Sequence, residues 1–214
     1  MTVPVKLLTQ VTQAAKTHQP ELSVSCSENA IKLTGPFVLS DLRGPFDCYQ
    51  VELQIPSNFP WHEPTVFETG GRIPKNIDRH VIPSNGSCCL GVWEEWLVNV
   101  PGHSFDKLMT GWLYDFFFSQ SWFEAKGEWP FGQRSHGKAG IVESYADLLG
   151  VTLDAKVIAD HLKLLARETI KGHSLCPCGS GKRLRKCHRD SIQLLSNRIR
   201  PTMAKRMLNR IASN

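Results

Sequence analysis

Apolar residues recur at Val3, Leu7, Leu8, Val11 and Ala14-Ala15, which is the spacing of one face of a helix. Residues 3–16 are therefore predicted to be helical. Thr2 is the expected cap, and Pro4 falls in the first turn, where a missing N–H costs little. His18-Gln19-Pro20 ends the segment. The period then changes from 3.6 to two. Residues 22–26 alternate apolar and polar. Residues 31–39 do so more loosely around Gly35-Pro36. Residues 48–55 alternate cleanly: Tyr49, Val51, Leu53 and Ile55 lie on one face, and Cys48, Gln50, Glu52 and Gln54 on the other. Thr65-Val66-Phe67 reads as a fourth short strand, and Arg43-Gly44-Pro45 as a turn. A helix followed by consecutive short strands predicts an antiparallel meander and an α+β class.

Residues 70–90 carry few periodic signals but several breakers: Gly70-Gly71, Pro74, Pro83 and Asn85-Gly86. A long irregular loop inside a compact domain is usually functional. A helix is predicted over residues 105–121, capped by Ser104, with Leu108, Met109, Trp112 and Phe116 on one face. Two more follow over residues 140–150 and 154–170, and Gly172 closes the last. The expected division is a main domain at residues 1–172, a small module at 173–190 and a basic terminal helix at 191–214. In that helix Ile192, Leu195, Ile199, Met203, Met207 and Leu208 form a stripe with a break at Pro201.

Length and composition narrow the class. The chain has 214 residues, enough for one sizeable core plus an appendage, and its 41% hydrophobic content is that of a globular protein. No apolar run approaches the roughly 18 residues of a membrane helix, and no secretory segment is expected at the start. Seven cysteines is an odd number, and three of them cluster beside a His at metal-ligand spacing. That pattern predicts a reducing, cytoplasmic compartment in which thiols serve chemistry and metal rather than a disulfide framework. The net charge is +5, with the basic residues concentrated late, in residues 182–186 and 198–210. Charge of this kind suits a solvated face, an acidic partner or nucleic acid. It alone speaks for nucleic acid, which is not counted among the expected partners.

The stretch Gly86-Ser87-Cys88-Cys89-Leu90 carries the candidate chemistry. It is preceded by Ile55-Pro56-Ser57-Asn58-Phe59-Pro60-Trp61-His62-Glu63-Pro64 and by His80. A helix, a strand meander, a Pro-aromatic-Pro loop and a Gly-x-x-Cys-Leu run, in that order, resemble the ubiquitin-conjugating enzyme family. The resemblance covers roughly residues 1–125. It implies the ubiquitin-conjugating-enzyme-like fold and Cys89 as the thioester-forming residue, with Cys88 in a slot usually held by an apolar side chain. The family's His-Pro-Asn triplet is not intact, because His80 is followed by Val81-Ile82-Pro83. His80 is a candidate helper, and Asn85 is the candidate in place of the missing Asn. Residues 127–137 are similar to bacterial relatives found in antiphage operons with cGAS-like nucleotidyltransferases, the CBASS systems, where a short stand-alone form is known. The chemistry suits sulfur, because a thioester forms readily and stays activated toward a second nucleophile. The bland alternative takes Cys88 and Cys89 as two small residues, one of them buried.

Cys176-Pro177-Cys178 is followed after eight residues by Cys187-His188. Two close pairs across a short loop supply the four N/S ligands that zinc takes in a tetrahedron, and Gly179-Ser180-Gly181 allows the tight turn. The Cys-Pro-Cys-Gly-Ser-Gly-Lys core resembles the SEC-C motif. Cys176, Cys178, Cys187 and His188 are the expected ligands of a structural zinc, since four protein ligands leave no open position.

Two functions follow as expectations. In the first, an antiviral transferase carries on Cys89 the C-terminus of a ubiquitin-like protein or of a cGAS-like nucleotidyltransferase. No Walker or dinucleotide loop is present, so a separate activating enzyme, or a bond formed another way, is required. In the second, the same fold is a non-catalytic module that binds a partner protein.

Overall fold

The computed structural model describes residues 2–212. Met1 and the last two residues of the expected 191–214 segment lie outside them. The class is α+β, with a four-stranded antiparallel sheet in the order β1-β2-β3-β4. The chain separates into two compact units. One holds the chain up to Gly91 and Gly102–Gln133; the other holds Val92–Pro101 and everything from Arg134 onward.

The first unit begins with α1 (Val5–His18), which buries Leu7, Val11, Ala14 and Ala15. The helix starts two residues later than expected. Pro4 holds the capping position in an extended conformation without a side-chain bond, and its carbonyl accepts the N–H groups of Leu7 and Leu8. The sheet follows as β1 (Ser23–Cys26), β2 (Ala30–Asp41), β3 (Gly44–Pro56) and β4 (Thr65–Glu68). Register agrees with the period-two reading. Ile31 faces Ile55, Leu33 faces Leu53 and Phe37 faces Tyr49, and all six are buried. One face of the sheet is therefore dry.

β2 runs straight through Gly35-Pro36. Its pairing with β1 ends at Thr34, so no strand on that side requires the N–H that Pro36 lacks. The open edge beyond is closed by a side chain: the Gln19 amide donates to the Val38 carbonyl at 2.9 Å and accepts the Val38 N–H at 2.7 Å.

The second helical region of this unit is one continuous rod in three parts. α3 (Phe105–Leu108) is capped by Ser104, whose hydroxyl accepts the Lys107 N–H; a π-helical stretch, Met109–Leu113, follows; α4 (Tyr114–Lys126) completes it. Phe117 of α4 lies over the sheet, with ring centroids 5.0 Å from Phe37 and 5.2 Å from Tyr49.

The second unit contains α2 (Trp93–Asn99), a short helix that periodicity does not reveal, together with α5 (Gly137–Leu149), α6 (Ala155–Leu165), α7 (Arg189–Arg198) and α8 (Pro201–Ala212). Pro201 separates the last two, as the break in the stripe predicts. Tyr145, Leu149, Ile158, Leu162 and Leu165 share one buried cluster with Leu184, Ile192, Leu195, Ile199 and Met207. Residues 134–172 thus pack with the Cys/His module and the terminal helices, and the sequence boundary at 172 falls inside this unit. The physical reason is the small apolar content of the module, which completes a core only by sharing one. No helix among the described residues is long and apolar enough to cross a membrane.

Candidate functional site

The thiol loop is built on the first unit. Residues 81–88 fold back on themselves: the Ile82 N–H donates to the Ser87 carbonyl at 2.9 Å and the Gly86 N–H to the Ile82 carbonyl at 2.7 Å. Ser87 pairs with Phe67 of β4, and Cys88 pairs with Val81. The Cys88 N–H also donates to the Val66 carbonyl at 2.7 Å. The segment therefore extends the sheet beyond β4. Cys88 turns inward and is buried; Cys89 turns outward and is exposed. Burial pushes the Cys88 thiol up to about 12.

His80 stands at the end of a short 3-10 turn, Ile77–Arg79, in the left-handed region with φ 52°. Its carbonyl accepts the Cys89 N–H at 2.8 Å, so main chain joins the two predicted residues. Its ring lies edge-on to Trp129, centroids 4.9 Å apart, and Trp129 stacks on Phe123 of α4. Asn85 is exposed, four residues before Cys89. Its side-chain oxygen accepts the Ser87 N–H at 3.0 Å and the Ser87 hydroxyl at 2.9 Å, which shapes the turn before the cysteines. Just after them, Gly91 adopts φ +135°, and a Cβ there would stand 3.1 Å from the Trp112 ring. The exit from the loop is thus closed against the π-helical stretch.

Two anchors lie outside the sequence-based expectations. Gln120, fully buried, donates to the Arg79 carbonyl at 2.8 Å and accepts from Arg79 Nε at 3.0 Å. Arg72 reaches Asp47 at 2.5 Å and Glu124 at 2.6 Å, and Glu124 also meets Arg79 at 3.2 Å. Gln120 and Glu124 are four apart on α4 and so share a face. That polar pair in an aromatic-rich helix is the signal the sequence offers for them. These contacts hold the segment leading to Cys89 on the helix.

The burial contrast gives a direct expectation. Iodoacetamide at about pH 8 should alkylate Cys89 and spare Cys88, because only thiolate reacts and only an exposed one is reached. Tandem mass spectrometry of the peptide carrying both residues reads the outcome. Equal labelling in the native protein would contradict the inward placement of Cys88.

The metal-ligand set lies in the second unit. The Cys176 N–H donates to the Lys182 carbonyl and the Leu184 N–H to the Ser174 carbonyl, both at 2.8 Å, so a two-stranded ribbon carries the first candidate ligand. The 3-10 turn Leu184–Lys186 then delivers Cys187 and His188. The donor atoms of Cys176, Cys178, Cys187 and His188 all lie within 4.8 Å of one another. His188 Nδ1 is 3.3 Å from both the Cys176 and Cys187 sulfurs, and the Cys178 and Cys187 sulfurs are 3.6 Å apart. A tetrahedral zinc with Zn–S of about 2.3 Å needs sulfurs about 3.8 Å apart, so the donors fit a soft tetrahedral cation. Hydrogen bonding from Ser180 draws the Cys178 thiol down to about 6, whereas burial raises that of Cys176.

Comparison with known families matches residues 174–190 to the SEC-C motif. No curated protein and no solved structure matches the chain.

Proposed function

We propose that the first unit is a ubiquitin-conjugating-enzyme-like transferase that holds the C-terminus of another polypeptide as a thioester on Cys89. The observation that carries this reading is the contrast between two adjacent thiols: Cys88 is buried in the extension of the sheet, and Cys89 beside it is exposed. The succession of helix, four-strand antiparallel meander, thiol loop and helix follows the order the resemblance implies. In the reaction the Cys89 sulfur attacks an activated carbonyl. A new S–C bond forms, the bond from that carbonyl to the activating enzyme's thiol breaks, and the Cys89 proton leaves with the departing sulfur. A later amine or other nucleophile releases the cargo and restores the thiol. A cGAS-like nucleotidyltransferase of an antiphage operon is the cargo the resemblance suggests, with a ubiquitin-like protein as the other source of the tail.

A non-catalytic partner-binding module is the second reading. It is favoured by the absence of an intact His-Pro-Asn triplet, His80 being followed by Val81-Ile82-Pro83. Expression with the genomic neighbours, followed by mass spectrometry of the intact protein, separates the two. A covalent adduct that disappears with Cys89→Ala and persists with Cys88→Ala is the expected result. An adduct that survives Cys89→Ala removes Cys89 as the acyl-carrying residue, and no adduct at all assigns the binding module instead.

For the second unit we propose a structural Zn2+ held by Cys176, Cys178, Cys187 and His188. The SEC-C match and the mutual distances of the four donors support it.

A further inference from the structure

Lys75 lies across the loop that carries Cys89. Gly86 in that loop adopts φ +75°, and a Cβ on it would stand 3.3 Å from Lys75 Cε and 3.4 Å from Nζ. Gly86 is buried although residues 82–85 before it are exposed, and the Lys75 stem is among the atoms that cover it. The root of this side chain is fixed by the residue beside it. Asn76 donates its N–H to the Pro74 carbonyl at 2.8 Å, and its own carbonyl accepts the Val81 N–H at 3.1 Å. Its side-chain oxygen accepts the Arg79 N–H at 2.9 Å. Val81 in turn pairs with Cys88, the neighbour of the exposed thiol. The tip is not tied. Lys32, Lys156 and Lys163 each meet a carboxylate, whereas Lys75 is exposed and has no ion-pair partner among the described residues.

We propose that Lys75 is an acyl acceptor for Cys89, so that the chain takes onto its own side chain the tail that it carries. This rests on the thioester reading of Cys89. Gly86 and Cys89 are three residues apart, at most about 11 Å along extended chain. A flexible four-carbon stem rooted beside the loop can turn its amine from Gly86 toward the sulfur. In the step, the neutral Lys75 amine attacks the thioester carbonyl. A C–N bond forms, the C–S bond breaks, and a proton passes from nitrogen to sulfur. Lys75 is left as an amide and Cys89 as a free thiol. An amine held beside the thioester gains over amines in solution because the encounter is already made. The product is a stable bond in place of an activated one, and no third protein is needed to receive the tail.

The test uses the full chain and a short peptide carrying a C-terminal alkyl thioester, which loads a thiol without an activating enzyme. Intact-mass and tandem mass spectrometry are read before and after dithiothreitol. The parent should show a labile adduct on Cys89 that converts to a dithiothreitol-stable adduct on Lys75. Lys75→Arg should lower the stable adduct about tenfold or more and keep the labile one. Cys89→Ala should lower the stable adduct on Lys75 by a similar factor. A labile adduct on Cys89 with no stable adduct on Lys75 overturns the inference and leaves the thioester reading standing. So does a Cys89-dependent stable adduct that maps to another lysine. Equal labelling of Lys75 in Cys89→Ala overturns it too, since the amine then reacts with the peptide directly. No adduct on Cys89 in the parent removes the thioester reading and the inference together.

Discussion

The chain carrying Cys176→Ser together with Cys187→Ser is expected to purify without metal, and the parent with one zinc ion. Elemental analysis of both proteins reads this directly. The effect on folding should be large. Structural zinc contributes about 10–16 kcal/mol of apparent binding energy in small zinc-finger peptides near neutral pH. Here the module contributes Cys176 and Leu184 to the core of its unit, and α7 begins at Arg189, the residue after the last candidate ligand. Removing the ion leaves three sulfurs and an imidazole packed within 4.8 Å with nothing to hold them there. The start of α7 should loosen with them. Amide exchange in residues 174–188 and the first turn of α7 should rise on chelation, while exchange in β2 and β3 of the other unit should not. Metal content unchanged in the double variant would remove these four residues as the ligand set.

The second large effect concerns a charge with no water. Glu94 on α2 is fully buried, and both its oxygens are engaged: one takes Arg206 Nε at 2.7 Å and the other takes Arg210. Both arginines keep about a third of their side chains exposed. The two sides of the cluster should therefore respond differently to mutation. Arg206→Ala with Arg210→Ala strands a carboxylate in the core and is expected to cost about 3–5 kcal/mol, the range for a buried pair broken by removing one side. Glu94→Gln leaves two cations that can turn to solvent and keeps a hydrogen-bonding oxygen, so it should cost about 1–2 kcal/mol. Chemical denaturation followed by tryptophan fluorescence measures both, since Trp93 and Trp96 flank Glu94 in sequence and their rings stack 4.5 Å apart. A double arginine variant no less stable than Glu94→Gln would show that the carboxylate is not confined.

Local chemistry made most of the elements legible. The four strands, the cap at Ser104, the break at Pro201 and the Cys/His cluster each follow from residues adjacent in sequence. Strand alternation and helical spacing are local signals, and the metal-ligand spacing is a short one. α2 leaves no readable stripe, because Trp93, Trp96 and Leu97 are buried alongside Glu94, which interrupts the apolar pattern. The π-helical stretch inside the predicted helix is equally invisible, since a wider hydrogen-bonding turn leaves no mark in composition.

What the sequence by itself determined is the inventory: an α+β chain, a meander of four strands, a thiol run in an irregular loop and four soft donors at metal-ligand spacing. What only the tertiary structure decided is which groups meet. Cys88 is buried where residues 87 and 88 pair with Phe67 and Val81, and the next residue, Cys89, is exposed. Gln19 closes the edge of β2 from 19 residues away, and Gln120 fastens Arg79 from 41. Glu94 finds its arginines 112 and 116 residues later. Such pairs depend on where the folded chain returns, and periodicity along a segment carries no information about its distant neighbours.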